Sequence, residues 1–242
     1  MKWKKIGHVL LVDKDIENPK KLLEMKGIET VVKLGNIGGK KREPDVKILA
    51  GSNTETIHRE NGCIFKLDVA RVMWSKGNTN ERMRIANIIG EGERVLDMFA
   101  GIGYFTIPAA VHSKAEIIHS IEINPVSYGY LNENMSLNKV ENIVKPVLGD
   151  SMDIAPQFSV DRVLMGYIGN TQDYLKSAIA ALDESGIIHY HESVYEKIKF
   201  ERPEERIRKS AGGMDVEILN KRVIKKYSPG VVHVVIDAKI TK

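Results

Sequence analysis

The chain has 242 residues with a net charge of +4, and 43% of them are hydrophobic, enough for one large or two modest cores. Its charged and aromatic fractions, 28% and 6%, exclude disordered and fibrous classes. No run approaches the ~18 apolar residues of a membrane span, the apolar patch after the basic N-terminus is too short for a signal peptide, and the single Cys63 excludes an internal disulfide framework and fits a reducing cytoplasm. The charge is unevenly spread: residues 1–84 carry 18 Lys and Arg against 11 Asp and Glu, whereas residues 85–242 carry 18 against 21. A basic front of this kind suits a polyanionic partner.

In the front part, short β-like pieces, HVLLV (8–12), TVVKL (30–34), KILAG (47–51) and CIFKLDV (63–69), alternate with loops such as KLGNIGGKKREPD (33–45). They predict a small basic α+β domain over residues 1–84. The helix-like NERMRIANIIG (80–90) carries the chain over a boundary near 78–86 into a second domain, 85–242. There the strand-like runs 94–97, 116–123, 142–150, 160–166 and 186–194 alternate with helix-like segments at 105–113, 125–140 and 171–185. That alternation predicts right-handed βαβ units around a mainly parallel sheet. The runs DVEILNKRVIKKY (215–227) and VVHVVIDAKI (231–240) flank Ser228-Pro229-Gly230 and predict a closing antiparallel hairpin. The expected fold is α/β, of the Rossmann-type, class I methyltransferase-like kind, behind a small basic domain.

The sequence VLDMFAGIGYFT (95–106) ends a strand in Asp97 and turns on Gly101 and Gly103. Glycines here let backbone approach a nucleotide. A diphosphate-binding fingerprint wants Gly or Ala three residues after the second glycine, and Thr106 stands there instead. Asp97 would repel a diphosphate but suits a ligand with cationic groups, such as S-adenosylmethionine. Glu122, at the end of the next strand, can take both ribose hydroxyls, and Asp150-Ser151, ending the third, can accept from the adenine amino group. Phe99, inside the turn, completes the candidate cofactor set.

The stretches RENGCIFKLDVARVMWSKGNTNERMRI (59–85), VLDMFAGIGYFTIPAA, IEINPVSYGYLNENMSLNKVENIV and VLGDSMDIAP, in that order, resemble the tRNA guanosine-37 N1-methyltransferases and their wybutosine-synthesis relatives. The resemblance sets the expectation that a further N-terminal domain, common in the methyltransferases, is absent. Where those enzymes carry Asn-Leu-Pro after the fourth strand, this chain has Met165-Gly166-Tyr167. That resembles the archaeal branch that moves the 3-amino-3-carboxypropyl group of S-adenosylmethionine to C7 of 4-demethylwyosine at position 37 of tRNA-Phe. The resemblance implies methylthioadenosine as the product, and it implies roles for the residues that hold the methionine arm. Ser75 and Arg82, in WSKGNTNER, are the candidates: Arg82 to clamp the carboxylate and Ser75 to hydrogen-bond it. Tyr104 and Tyr167 are candidates to border the flipped base. No strong general base is demanded, since alignment and water exclusion carry most of the rate.

His189 and His191 share a strand face but have no Cys nearby, so no metal is expected. The runs KKREP (40–44) and ERPEERIRK (201–209) are collective candidates for RNA phosphates. The expected partner is the anticodon region of tRNA-Phe, without membrane or metal, with a monomeric cytoplasmic enzyme. The alternatives are guanosine-37 N1-methylation, and a tRNA-binding module that keeps the cofactor without turnover.

Overall fold

The computed structural model describes residues 3–39, 43–74 and 76–242. A four-stranded sheet comes first, β1 (Trp3–Ile6), β2 (Val9–Val12), β3 (Thr30–Gly38) and β4 (Glu43–Ala50), adjacent in that order. Strands β2 and β3 are parallel and the other neighbours antiparallel. The all-apolar VLLV of β2 is buried on both faces: Val9 and Leu11 join the main core, Leu10 and Val12 a satellite with Ile28, Val31 and Ala50.

A hairpin follows, β5 (Glu55–Glu60) and β6 (Cys63–Asp68). Its open edge is held by side chains. Asn138 accepts from the Ile64 amide at 2.8 Å and donates to its carbonyl at 2.7 Å, and Asn134 accepts from the Lys66 amide at 2.6 Å. Both asparagines lie one turn apart on a helix of the following unit, so the hairpin docks there by amide–backbone pairing. One hydrophobic cluster runs from Ile6 and Phe65 through Val95 and Leu131, joining the front of the chain to the back.

After α1 (Thr79–Ile88), the large sheet is built from β7 (Arg94–Asp97), β8 (Ile117–Glu122), β9 (Val144–Leu148), β10 (Val160–Met165), β11 (Leu182–Tyr195), β12 (Asp215–Ser228) and β13 (Val231–Thr241). Its order is β12-β13-β11-β10-β7-β8-β9, with five parallel strands and an antiparallel β12–β13 hairpin on β11, as the alternation predicted. The connecting helices are α2 (Thr106–His112), α3 (Pro125–Asn138), α4 (Ser151–Ile154), α5 (Leu175–Ala180) and α6 (Glu201–Ala211). The expected helix over 171–185 stops early: a 3-10 turn (Thr171–Tyr174) leads into α5, and β11 has begun by Leu182. Long β13 recruits those residues, pairing Thr241 with Ser185, while Asp183 bonds Arg94 at 2.8 Å. Tertiary pairing here overrides helical propensity.

Helix α1 is anchored to β11 and β13 by buried charges. Arg84 bonds Glu81 at 2.6 Å and Asp237 at 2.6 and 3.0 Å, and His189 Nδ1 lies 2.6 Å from Asp237 Oδ1. His189 Nε2 faces Arg162 Nη1 at 2.7 Å, so the arginine donates and the imidazole is neutral, donating in turn to Asp237. His191 pairs with His233 at 2.9 Å. Both histidines of the HYHE segment are thus occupied by protein partners. No described helix is long and apolar enough to cross a membrane.

Candidate active site

The carboxyl ends of β7, β8 and β10 open on a cleft of about 640 Å³. Its turn is set by two left-handed glycines, Gly101 at φ +59° and Gly103 at φ +98°. A Cβ on Gly101 would enter the Tyr104 ring; one on Gly103 would lie 2.5 Å from Ile107 and 3.2 Å from Leu131. Gly101 lines the cleft, whereas Gly103 serves the close packing of α2 on α3.

Asp97 lies behind that turn, fully buried. Its Oδ1 accepts from the Phe99 amide at 3.2 Å and its Oδ2 from the Thr106 hydroxyl at 2.8 Å, which also lies 2.9 Å from Ser120 Oγ. Burial pushes this carboxyl up to about 6. The sequence reading set Asp97 against the ligand; the structure gives both its oxygens to the turn and leaves it off the cleft wall. Thr106, which departs from the diphosphate fingerprint, is therefore the partner Asp97 needs.

Glu122 does line the cleft. Its Oε2 accepts from the Gly101 amide and its Oε1 from the Asn124 amide, each at 2.7 Å. Burial raises its pKa and these amides oppose the rise. Both oxygens keep lone pairs, so a ribose diol could donate to the pair. Asp150 caps α4, accepting from the Met152 amide at 3.0 Å, and Asp150 and Ser151 both line the cleft. The carboxylates at the ends of β8 and β9 therefore reach one cavity, as expected.

Phe99 stands 5.2 Å from Tyr167 and 5.0 Å from Tyr174 between ring centres, and all three line the cleft. Gly166 is glycine for space: a Cβ there would come 2.6 Å from the Phe105 ring. The Met165-Gly166-Tyr167 sequence thus seats Tyr167 at the cleft by letting the strand end lie on Phe105.

Another part of the wall is Met73, Trp74 and Tyr104, whose hydroxyl donates to the Met73 carbonyl and whose ring lies 5.5 Å from Trp74. Arg82 packs behind these rings, 4.6 Å from Trp74 and 5.2 Å from Tyr104, and Nη1 donates to Glu60 at 2.6 Å. It is 1% exposed and is not part of the lining, so it stands one ring deeper than a direct clamp. Ser75 lies outside the described residues, as do residues 40–42 of the KKREP run. ERPEERIRK forms most of α6, where Arg202 and Arg206 are turned to Glu192 at 2.7 and 2.6 Å.

Sequence reasoning missed Lys4 of β1, and Lys225, Lys226 and Tyr227 of β12, which also line the cleft. The one signal for the last three is a Lys-Lys-Tyr triplet just before a hairpin turn. Among the described residues no group of three or more His, Cys, Asp or Glu could hold a metal ion.

The sequence profile described as "TRM5/TYW2 methyltransferase domain" matches residues 56–219. A Methanocaldococcus jannaschii protein named tRNA(Phe) (4-demethylwyosine(37)-C(7)) aminocarboxypropyltransferase is 47% identical, over 100% of this chain and 99% of its own. A Pyrococcus horikoshii protein of the same name is 41% identical over 100% and 90%. A Pyrococcus abyssi tRNA (guanine(37)-N(1))-methyltransferase, Trm5b, is 40% identical over 98% of this chain but 68% of its own. Among solved structures, M. jannaschii TYW2 in complex with AdoMet superposes with TM-score 0.82 at 46% identity, each chain covered in full. P. abyssi Trm5b superposes with TM-score 0.88 at 37% identity, covering 100% of this chain and 75% of that one. The superpositions do not separate the two activities, because both are carried on one fold; identity and coverage favour the first. The chain belongs to the TRM5/TYW2 methyltransferase-domain family.

Proposed function

We propose that this protein transfers the 3-amino-3-carboxypropyl group of S-adenosylmethionine to C7 of 4-demethylwyosine at position 37 of tRNA-Phe. The observation that carries this reading is the full-length identity of 47% to a protein named for that reaction, on a cleft whose strand end reads Met165-Gly166-Tyr167. A sulfonium carries three carbons open to displacement, and the one that points at the acceptor is transferred. Here the bond from sulfur to the methionine γ-carbon breaks, its electrons return to sulfur, and methylthioadenosine leaves. The new bond joins that carbon to C7, which then loses its proton.

In this reading Glu122 holds the ribose, Asp150 and Ser151 meet the adenine side, and Phe99 and Gly101 close the nucleoside pocket. Asp97 and Gly103 act through the turn they build. Arg82 supports the methionine carboxylate from behind Trp74 and Tyr104, Ser75 is assigned a hydrogen bond to the same carboxylate, and Tyr104 and Tyr167 border the base. We place the tRNA-contacting surface on residues 1–84 and the chemistry on 85–242, with the anticodon region as the part of tRNA presented and a cytoplasmic monomer as the acting form.

The test is the identity of the leaving nucleoside. Chromatography of a reaction with tRNA-Phe carrying 4-demethylwyosine should yield methylthioadenosine; no methylthioadenosine there, with S-adenosylhomocysteine formed in a parallel reaction with unmodified G37, would turn the assignment to N1-methylation, the activity named for Trm5b.

A further inference from the structure

The cleft has two electrostatic ends. Its only lining acids among the described residues are Glu122 and Asp150, on the nucleoside side, whereas Lys4, Lys225 and Lys226 line it from β1 and β12. One donor carboxylate does not call for three ammonium groups on two separate sheets; a polyanionic backbone does.

Lys225 is set apart from the other two by its packing. The turn 76–78 passes beside it, and a Cβ on Gly77 would lie 2.7 Å from Lys225 Cδ and 2.8 Å from Nζ. The backbone of Gly77 is not left-handed, so glycine is not there for its φ. The missing side chain is what leaves a channel for the lysine stem. On its other side Lys225 is paired in register with His233 of β13, which is fully buried. Burial, with the Lys225 charge adding to it, holds that imidazole down to about 3. The fold thus fixes one half-buried cation at the cleft.

We propose that Lys225, threaded past Gly77, binds the backbone phosphate next to the nucleotide presented to the cleft, and so governs the affinity for RNA and not for the sulfonium donor. This rests on the tRNA-modifying reading above. No bond changes at Lys225; it positions the acceptor.

The experiment measures tRNA-Phe binding across a potassium chloride series and donor binding by calorimetry, for wild type, Lys225→Gln, Lys225→Arg, Gly77→Ala and the double variant Gly77→Ala/Lys225→Gln. Lys239→Gln, an exposed lysine of β13 outside the lining, is the control. Lys225→Gln should weaken tRNA about tenfold at low salt and reduce the log–log salt slope by about 0.7–0.9, the loss of one phosphate contact. Its donor Kd should stay within about twofold of wild type, and arginine should restore most of the affinity. Gly77→Ala displaces only the end of a flexible side chain, so the fold should survive; it should weaken tRNA in the same direction and add nothing to Lys225→Gln. An unchanged slope in Lys225→Gln would overturn the proposal. So would a weakened donor Kd with tRNA binding intact, which would assign the donor carboxylate to Lys225. Wild type that binds tRNA but transfers nothing would sink the transfer reading alone, since the slope still reports on Lys225.

Discussion

The Gly101 amide and the Glu122 carboxylate are joined by a 2.7 Å hydrogen bond from the turn after β7 to the end of β8. One contact thus fixes both the glycine turn and an acid that lines the cleft. Glu122→Ala should remove the ribose acceptor and release the turn together. A charge-assisted hydrogen bond contributes about 1.5–3 kcal/mol, so the donor Kd should rise roughly 10- to 150-fold. Calorimetric titration with S-adenosylmethionine measures this directly. A Kd within threefold of wild type would mean that the ribose is held elsewhere.

Asp97 and Asp237 make opposite predictions for stability against pH. Asp97 is raised by burial from 3.8 to about 6, so its contribution is most favourable below about 4 and is lost as pH rises through 6. The stability of wild type relative to Asp97→Asn should therefore fall between pH 4 and 7, by up to about 3 kcal/mol. Chemical denaturation of the two proteins at a series of pH values checks the sign.

For Asp237, burial pushes the carboxyl up, but hydrogen bonds from His189 and Arg84 hold it below the usual range. Its contribution is complete above about 4 and is lost in acid. Removing it leaves Arg84 buried with half its partners, so Asp237→Ala should cost about 3–5 kcal/mol. A loss below 1 kcal/mol in urea unfolding would show that α1 is held by its apolar face alone.

Tyr167 separates acceptor binding from donor binding. Stacking on a base is worth about 1–3 kcal/mol, so Tyr167→Ala should lower kcat/KM for tRNA about 5- to 150-fold. Tyr167→Phe keeps the ring and should stay near wild type. Steady-state kinetics with tRNA varied at saturating donor gives the comparison, and an equal loss in both variants would point to the hydroxyl.

Much of this was legible in the residues. Strict alternation of apolar runs and helical segments from Val95 onward fixed the parallel sheet, and Ser228-Pro229-Gly230 marked the final hairpin. The place of Glu122 and Asp150 on the cleft wall was readable because the carboxyl ends of strands in such sheets border a crevice. What hid was long-range. Asp97 looks like a wall residue until Thr106, past the glycine turn, is seen to hold it, backed by Ser120 of the next strand. Residues 182–185 look helical until β13 pairs with them. The strands Trp3–Ile6 and Glu55–Glu60 are short and half polar, and Asn134 and Asn138 declare their role only when β6 lies against α3. Lys225 and Gly77 are 148 positions apart, and no local pattern connects them.

The central claim, that the methionine arm and not the methyl is transferred, is tested most directly by following two labels. The protein is incubated with tRNA-Phe carrying 4-demethylwyosine and, separately, with tRNA-Phe carrying unmodified G37, using S-adenosylmethionine labelled in its carboxyl or in its methyl group. The account predicts carboxyl label in the modified RNA and no methyl label in either. Methyl label entering RNA with unmodified G37, with carboxyl label absent throughout, would contradict it.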